Sequence, residues 1–184
     1  MTRLVGIAGT TVLAVAAATA LLAAAAPATA SRSLYQVPLT FRTDGGETVT
    51  LDHWKGEKVV LTMVFTSCQA TCPVTMAKLH AIQERFDHAG IAAHFVIVSF
   101  DPLRDTPEKM TAYRAAAGHQ NANWTFLVGS EDDTRALAML LGIKYARNPI
   151  SGDIMHDSKI VLLNAEGEIT KELLGLDAPI DAFQ

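Results

Sequence analysis

The chain has 184 residues, and its 15 lysine and arginine residues stand against 19 aspartate and glutamate residues, for a formal net charge of −4 at pH 7. There is no run of basic residues and no alternation of basic with aromatic residues, which argues against a nucleic-acid-binding protein. After its first thirty residues, the chain has the length of one domain with a sizeable hydrophobic core.

The first thirty residues differ in composition from the rest. Arg3 gives a positive start, residues 4–26 are almost wholly apolar, and Ala28-Thr29-Ala30 forms a small-x-small cleavage site. This pattern predicts a signal peptide over residues 1–30. The apolar stretch is also long enough to span a bilayer, so an uncleaved inner-membrane anchor is the alternative. In both cases residues 31–184 form one domain that faces the periplasm or another exported, oxidising space.

Strands and helices are predicted from the spacing of apolar residues and from turn-forming residues. Continuous β-branched and aromatic runs predict buried strands, and apolar residues three or four positions apart predict helices. Thr106-Pro107 suits a helix start, and Gly90 and Gly142 suit helix ends. The predicted elements are, in chain order, a hairpin over 35–41 and 47–51, a strand over 59–65, a helix from 73 to just before 90, a strand over 93–100, a helix over 107–117, a strand over 124–128, a helix over 131–141, a weak extended piece over 144–147, and a hairpin over 159–163 and 168–171.

This order of elements predicts the fold class. Strands that alternate with helices and end in a β-hairpin are typical of an α/β sandwich of the thioredoxin type. We therefore expect a central mixed sheet flanked by helices, with an N-terminal β-hairpin.

The only two cysteines, Cys68 and Cys72, lie between a buried strand and a helix. Pro73 suits the first helical turn, so the pair is predicted at a helix N-terminus, where the macrodipole favours the thiolate. In one helical turn the two Cβ atoms would be about 5–6 Å apart. A relaxed disulfide needs roughly 3.5–4.5 Å, and a bridge over three residues removes little loop entropy. A redox or metal role is therefore favoured over a structural disulfide.

The predicted topology brings a histidine to the cysteines. Cys68, Cys72 and Asp101 follow strands that should be parallel neighbours, and His156 precedes a strand that should run antiparallel, so all four lie at one sheet edge. Two thiolates and an imidazole suit Cu(I), and can hold Cu(II) with a further ligand. A structural zinc site would require four protein ligands, and a blue-copper site would require two histidines. Copper is the predicted metal, and Met155 is the one methionine placed to approach it.

Three motifs occur in order over roughly residues 36–176. They are Phe-Thr-Ser-Cys-x-x-x-Cys-Pro at 65–73, Ser-Phe-Asp-Pro-x-Arg-Asp-Thr-Pro at 99–107, and His156 before an apolar strand that turns at Glu166-Gly167. With these motifs the chain resembles the Sco/SenC family of copper-binding cytochrome c oxidase assembly proteins.

The resemblance implies a thioredoxin-like domain facing the periplasm, with Cys68, Cys72 and His156 as copper ligands. Members of the family deliver copper to the binuclear copper site of oxidase subunit II, or keep its cysteines reduced. The implied partner is this copper-receiving subunit or another copper chaperone, with the membrane nearby through the partner or an uncleaved anchor. The implied role is a metallochaperone rather than an enzyme, and thiol–disulfide reductase activity is compatible with it.

A periplasmic thiol–disulfide oxidoreductase that uses Cys68 and Cys72 without metal is the alternative function. Thioredoxin-like enzymes carry two residues between their cysteines, whereas this chain carries three. An oxidoreductase without metal would also have no required role for His156. A peroxiredoxin would need Pro at −7 and Thr at −3 from its nucleophile, and neither cysteine has them. Within Asp101, Arg104 and Asp105 we expect an ion pair that stiffens the loop. The other histidines are expected at the surface or in supporting roles.

Overall fold

The computed structural model describes residues 33–116 and 118–183. The signal peptide predicted for residues 1–30 lies outside these ranges. Within them, no helix is long and apolar enough to cross a membrane. The strands and helices, in chain order, are β1 Thr40–Thr43, β2 Thr48–Thr50, β3 Val59–Val64, α1 Thr71–Ala89, β4 His94–Ser99, α2 Pro107–Ala116, β5 Trp124–Gly129, α3 Glu131–Leu140, β6 Tyr145–Arg147, β7 Ile154–His156, β8 Lys159–Leu163 and β9 Ile169–Leu174.

Seven strands form the central sheet in the order β2-β1-β5-β4-β3-β8-β9. Strands β3, β4 and β5 are parallel, whereas β1 and β8 run antiparallel to the strands they join. Every residue of β3 is buried, as expected for a parallel strand covered on both faces. The predicted thioredoxin-like sandwich, with a mixed sheet and an N-terminal β1–β2 hairpin, is confirmed.

Helix α1 anchors its apolar stripe in the core. Met76, Leu79, Ile82 and Phe86 are buried, as their helical spacing predicts. Gly90 then adopts a left-handed conformation (φ 66°), and its N–H donates to the carbonyls of Phe86 and Asp87. Because the helix is packed along its length, its first turn is held at the sheet edge where β3 ends.

The first predicted strand, over residues 35–41, is wrong in its first half. Leu34–Gln36 form a 3-10 turn in which Ser33 Oγ accepts a hydrogen bond from the N–H of Tyr35 (3.2 Å), and β1 begins only at Thr40. Tyr35 and Val37 still pack against the core. The apolar residues of this segment therefore face the core because of a turn, and not because the segment is a strand.

A second, two-stranded sheet was not predicted. Strands β6 and β7 pair antiparallel, with Tyr145 opposite His156 and Arg147 opposite Ile154. The sequence indicated only a weak extended piece at 144–147 and placed His156 in a loop. Each strand has three residues, too few for an alternating pattern to stand out. We call residues 145–156, which comprise both strands and their connecting turn, the ribbon.

Candidate metal centre

The two cysteines lie on either side of the start of α1. Cys68 is half-buried in the loop after β3, whereas Cys72 is in the first turn of the helix and 1% exposed. The helix begins at Thr71, two residues before Pro73, so Pro73 still occupies the first turn, where its missing N–H costs no helical bond. The helix was predicted from residue 73, so it begins two residues earlier than predicted and includes Cys72 but not Cys68.

A buried carboxylate holds the cysteine loop in place. Asp105, 3% exposed, accepts hydrogen bonds from the N–H of Thr66 (3.2 Å), from the Thr66 hydroxyl and from the Ser99 hydroxyl. These bonds connect the loop after β3 to the end of β4. The expected ion pair is confirmed between Asp101 and Arg104, but Asp105 acts as a hydrogen-bond acceptor for the cysteine loop, a role the sequence did not reveal.

The sulfur of Cys68 is surrounded by hydrogen-bond donors. The N–H of Cys72 donates to it (3.3 Å), and the Thr71 hydroxyl lies 3.4 Å away. Burial raises the pKa of the Cys68 thiol, but hydrogen bonds from the Thr71 hydroxyl, the Cys72 thiol and the N–H groups of Cys72 and Ala70 outweigh it and lower the pKa to about 7. The predicted preference for a thiolate at this helix start is supported for Cys68.

Cys72 has the opposite electrostatic environment. Burial, followed by the hydrogen bond that its thiol donates to Cys68, raises its pKa to about 12. Both cysteines are free. In the metal-free protein the pair therefore consists of one readily ionised sulfur and one thiol that keeps its proton.

His156 ends strand β7 and points a ring nitrogen at the cysteine helix. Its Nδ1 lies 3.0 Å from the carbonyl of Asp157. A carbonyl can only accept, so in the neutral imidazole Nδ1 carries the hydrogen and Nε2 has the free lone pair. Nε2 lies 3.5 Å from the Thr71 hydroxyl, and the ring packs against Phe65 and Phe100 at centroid distances of 5.7 and 4.5 Å. A carbonyl bonded to one imidazole nitrogen is the usual support for a metal ligand at the other.

The structure brings the three predicted ligands together. The ligand atoms of Cys68, Cys72 and His156 all lie within 4.8 Å of one another, and no other such group of three or more His, Cys, Asp or Glu residues occurs in the described part of the chain. Two sulfurs at roughly 2.3 Å from one metal can be up to about 4.6 Å apart. The cluster therefore fits a metal ion with little movement. An open cavity of about 570 Å³ lies over it.

The other sequence-predicted residues are not part of this cluster. Asp101 lies at the same sheet edge, as expected, but its buried carboxylate is bound by Arg104 and Arg147. Met155 lines the cavity and is 71% exposed. His119, expected at the surface or in a supporting role, is instead buried at 4% exposure, bonded to His80 and stacked on Trp124.

The chain is similar in sequence and in fold to known proteins. A model of the family described as SCO1/SenC matches residues 27–183. The SCO1 protein homolog of Bacillus subtilis (strain 168) is 27% identical over 146 residues, which are 78% of this chain and 76% of that protein. The structure of Arabidopsis thaliana ScoI with copper bound matches with a TM-score of 0.70 at 24% identity, covering 80% of this chain and 91% of that one. BsSco, described as a member of the Sco family of cytochrome c oxidase assembly proteins in which a disulfide switch was identified, matches with a TM-score of 0.68 at 25% identity, covering 80% and 86%.

Proposed function

The chain belongs to the SCO1/SenC family, and from this premise we propose that it is a copper metallochaperone. It delivers copper to the binuclear copper site of cytochrome c oxidase subunit II, or keeps the cysteines of that site reduced. The observation that carries the proposal is the cluster of Cys68, Cys72 and His156, with ligand atoms within 4.8 Å of one another. Two sulfurs and an imidazole nitrogen form a soft donor set that suits Cu(I) and accepts Cu(II) with a further ligand.

Each of the three side chains has a distinct part in holding copper. Cys68, half-buried and with a pKa of about 7, supplies a thiolate near neutral pH. His156 offers the lone pair of Nε2 to the metal, because its Nδ1–H donates to the carbonyl of Asp157. Cys72, whose pKa is about 12, releases its proton only as it binds the metal.

Release of copper uses the exposed side of the same site. Cys68 and His156 are half-buried and line the cavity of about 570 Å³, whereas Cys72 lies behind them. A thiolate of the acceptor can approach through this cavity and displace the ligands one at a time. A site with three ligands and an open side suits a protein that hands its metal on.

The proposed acceptor and location rest on the relatives and on the N-terminal sequence. BsSco is described as a member of a family of cytochrome c oxidase assembly proteins, and Arabidopsis thaliana ScoI was solved with copper bound. Residues 1–30 have the pattern of a signal peptide or anchor. We therefore place the domain in the periplasm, with the oxidase subunit or another copper chaperone as its partner.

Thiol–disulfide exchange without metal is the second candidate function, and the unequal cysteine pKa values favour it. In this reaction the Cys68 thiolate attacks a disulfide of the partner, and Cys72 then resolves the mixed disulfide. A nucleophile with a pKa of about 7 is well suited to the first step. This function leaves His156 without a role, which is why copper delivery is the primary proposal.

A transfer experiment separates the two functions. The reduced, Cu(I)-loaded protein is mixed with the metal-free soluble domain of oxidase subunit II, whose cysteines are either reduced or oxidised, and the two proteins are separated for metal and thiol analysis. Copper delivery predicts that copper moves to the reduced acceptor and that a Cys68→Ser variant fails to transfer it. Reduction of the oxidised acceptor by the metal-free protein, with no copper transfer, would contradict copper delivery and would support thiol–disulfide exchange, by which the protein keeps the acceptor's cysteines reduced.

A further inference from the structure

The ribbon that carries His156 is separate from the central sheet. Its strands β6 and β7 form a two-stranded sheet of their own, and within the described residues they have no ladder to the seven-stranded sheet. The cysteines, by contrast, follow β3, a strand of the central sheet that is buried at every residue. The distance between His156 and the cysteines therefore depends on the contacts that fasten the ribbon to the rest of the domain.

Two arginines make the charged contacts of this attachment. The carboxylate of Asp101, whose side chain is fully buried, accepts hydrogen bonds from Arg104 on one oxygen and from Arg147 on the other. Both guanidinium groups also donate to the carbonyl of Gly152 in the ribbon turn, at 2.8 Å from Arg104 and 3.2 Å from Arg147. We call Asp101, Arg104, Arg147 and Gly152 the clamp.

Arg147 has a special place in the clamp because it belongs to the ribbon itself. It lies on β6 opposite Ile154, which is two residues before His156 on β7, so it is two pairs along the ribbon from the Tyr145–His156 pair. Its planar guanidinium can bind the carboxylate and the carbonyl at the same time, which a lysine ammonium cannot do with the same geometry. Loss of this group would leave the Asp101 carboxylate, which is buried, with a single cationic partner.

We propose that Arg147 is a positioning residue for the copper site: by holding the ribbon on Asp101, it keeps His156 beside Cys68 and Cys72. The inference rests on the proposed role of His156 as a copper ligand. Arg147 contacts no ligand atom and acts only through the ribbon. Residues that support metal ligands in this way typically change metal affinity about 10–100-fold when they are replaced.

Copper competition measurements on the reduced protein test this role. Arg147→Met should weaken Cu(I) binding about tenfold, and Arg147→Lys, which keeps the charge but not the planar group, should weaken it less. The matched control is Arg85→Met, which removes the same charge from an exposed pair with Asp181 at the other end of α1. In a His156→Ala background, Arg147→Met should have no further effect, because the two changes act through the same ligand.

Amide hydrogen exchange of the metal-free protein provides a second readout that does not involve copper. In Arg147→Met, the amides of the ribbon should exchange faster than in the wild type, while those of β3 should keep their protection, which also shows that the variant is folded. The inference fails, while the proposed ligand set stands, if Arg147→Met binds copper with wild-type affinity. It also fails if Arg147→Met loses as much copper affinity in the His156→Ala background as in the wild type. If His156→Ala itself binds copper as the wild type does, the proposed ligand set and the inference both fail.

Discussion

Replacement of Asp105 by asparagine should destabilise the protein, because its carboxylate accepts three hydrogen bonds in a buried site. One oxygen accepts from the N–H of Thr66 and the hydroxyl of Ser99, and the other accepts from the Thr66 hydroxyl. An amide nitrogen cannot accept a hydrogen bond, so the better of the two asparagine orientations loses one of the three. The two hydrogen bonds that remain are no longer made to a charged group. Hydrogen bonds to charged groups contribute roughly 1.5–3 kcal/mol each. We expect a loss of about 3 kcal/mol in the free energy of unfolding, or about 6–12 °C in Tm.

Urea unfolding of the metal-free, reduced protein measures this loss. The matched control is Asp132→Asn, because Asp132 is 94% exposed and its pair with Arg135 lies at the surface of α3. The control should remain within about 0.5 kcal/mol of the wild type. An Asp105→Asn variant that also stays within about 0.5 kcal/mol of the wild type would show that the cysteine loop does not depend on this carboxylate.

Two further predictions concern pH. Burial raises the pKa of Cys68, but its hydrogen bonds lower it to about 7. The rate of alkylation by iodoacetamide should therefore rise with pH around a midpoint near 7, and Thr71→Val should move this midpoint upward. The same pH profile in Cys68→Ser would contradict the assignment of this midpoint to Cys68. Burial, and secondarily the neighbouring His80, lower the pKa of His119 from 6.5 to about 4. Between these two pH values the ring is therefore neutral in the folded protein but protonated in the unfolded chain. The free energy of unfolding should therefore fall as pH drops from 6.5 towards 4, and parallel pH profiles of the wild type and His119→Phe in urea would contradict this.

The elements that the sequence predicted well are those whose own run or spacing of apolar residues shows that they are buried. Strand β3 is buried at every position, and the apolar stripe of α1 is buried from Met76 to Phe86. Such patterns reflect local chain geometry, so they can be read without knowledge of the neighbours. The parallel order of β3 and β4 then followed from their alternation with helices, and it placed the cysteines and His156 at one edge.

The features that the sequence did not reveal depend on contacts between distant residues. Thr66 and Asp105 are 39 residues apart, and Asp101 and Arg147 are 46 residues apart. A single carboxylate or arginine has no periodic pattern, so its partner cannot be identified from spacing alone. The ribbon was missed for a related reason, because its three-residue strands owe their order to pairing with each other and to the clamp.

Copper stoichiometry of the reduced protein under anaerobic conditions is the most direct test of the proposed metal centre. With Cys68, Cys72 and His156 as ligands, we expect one copper per chain for the wild type, none retained against a competing chelator by the Cys68→Ser, Cys72→Ser double variant, and weaker binding by His156→Ala. A wild-type protein that retains no copper against a modest competitor, yet cycles readily between the dithiol and a Cys68–Cys72 disulfide, would contradict the metallochaperone account.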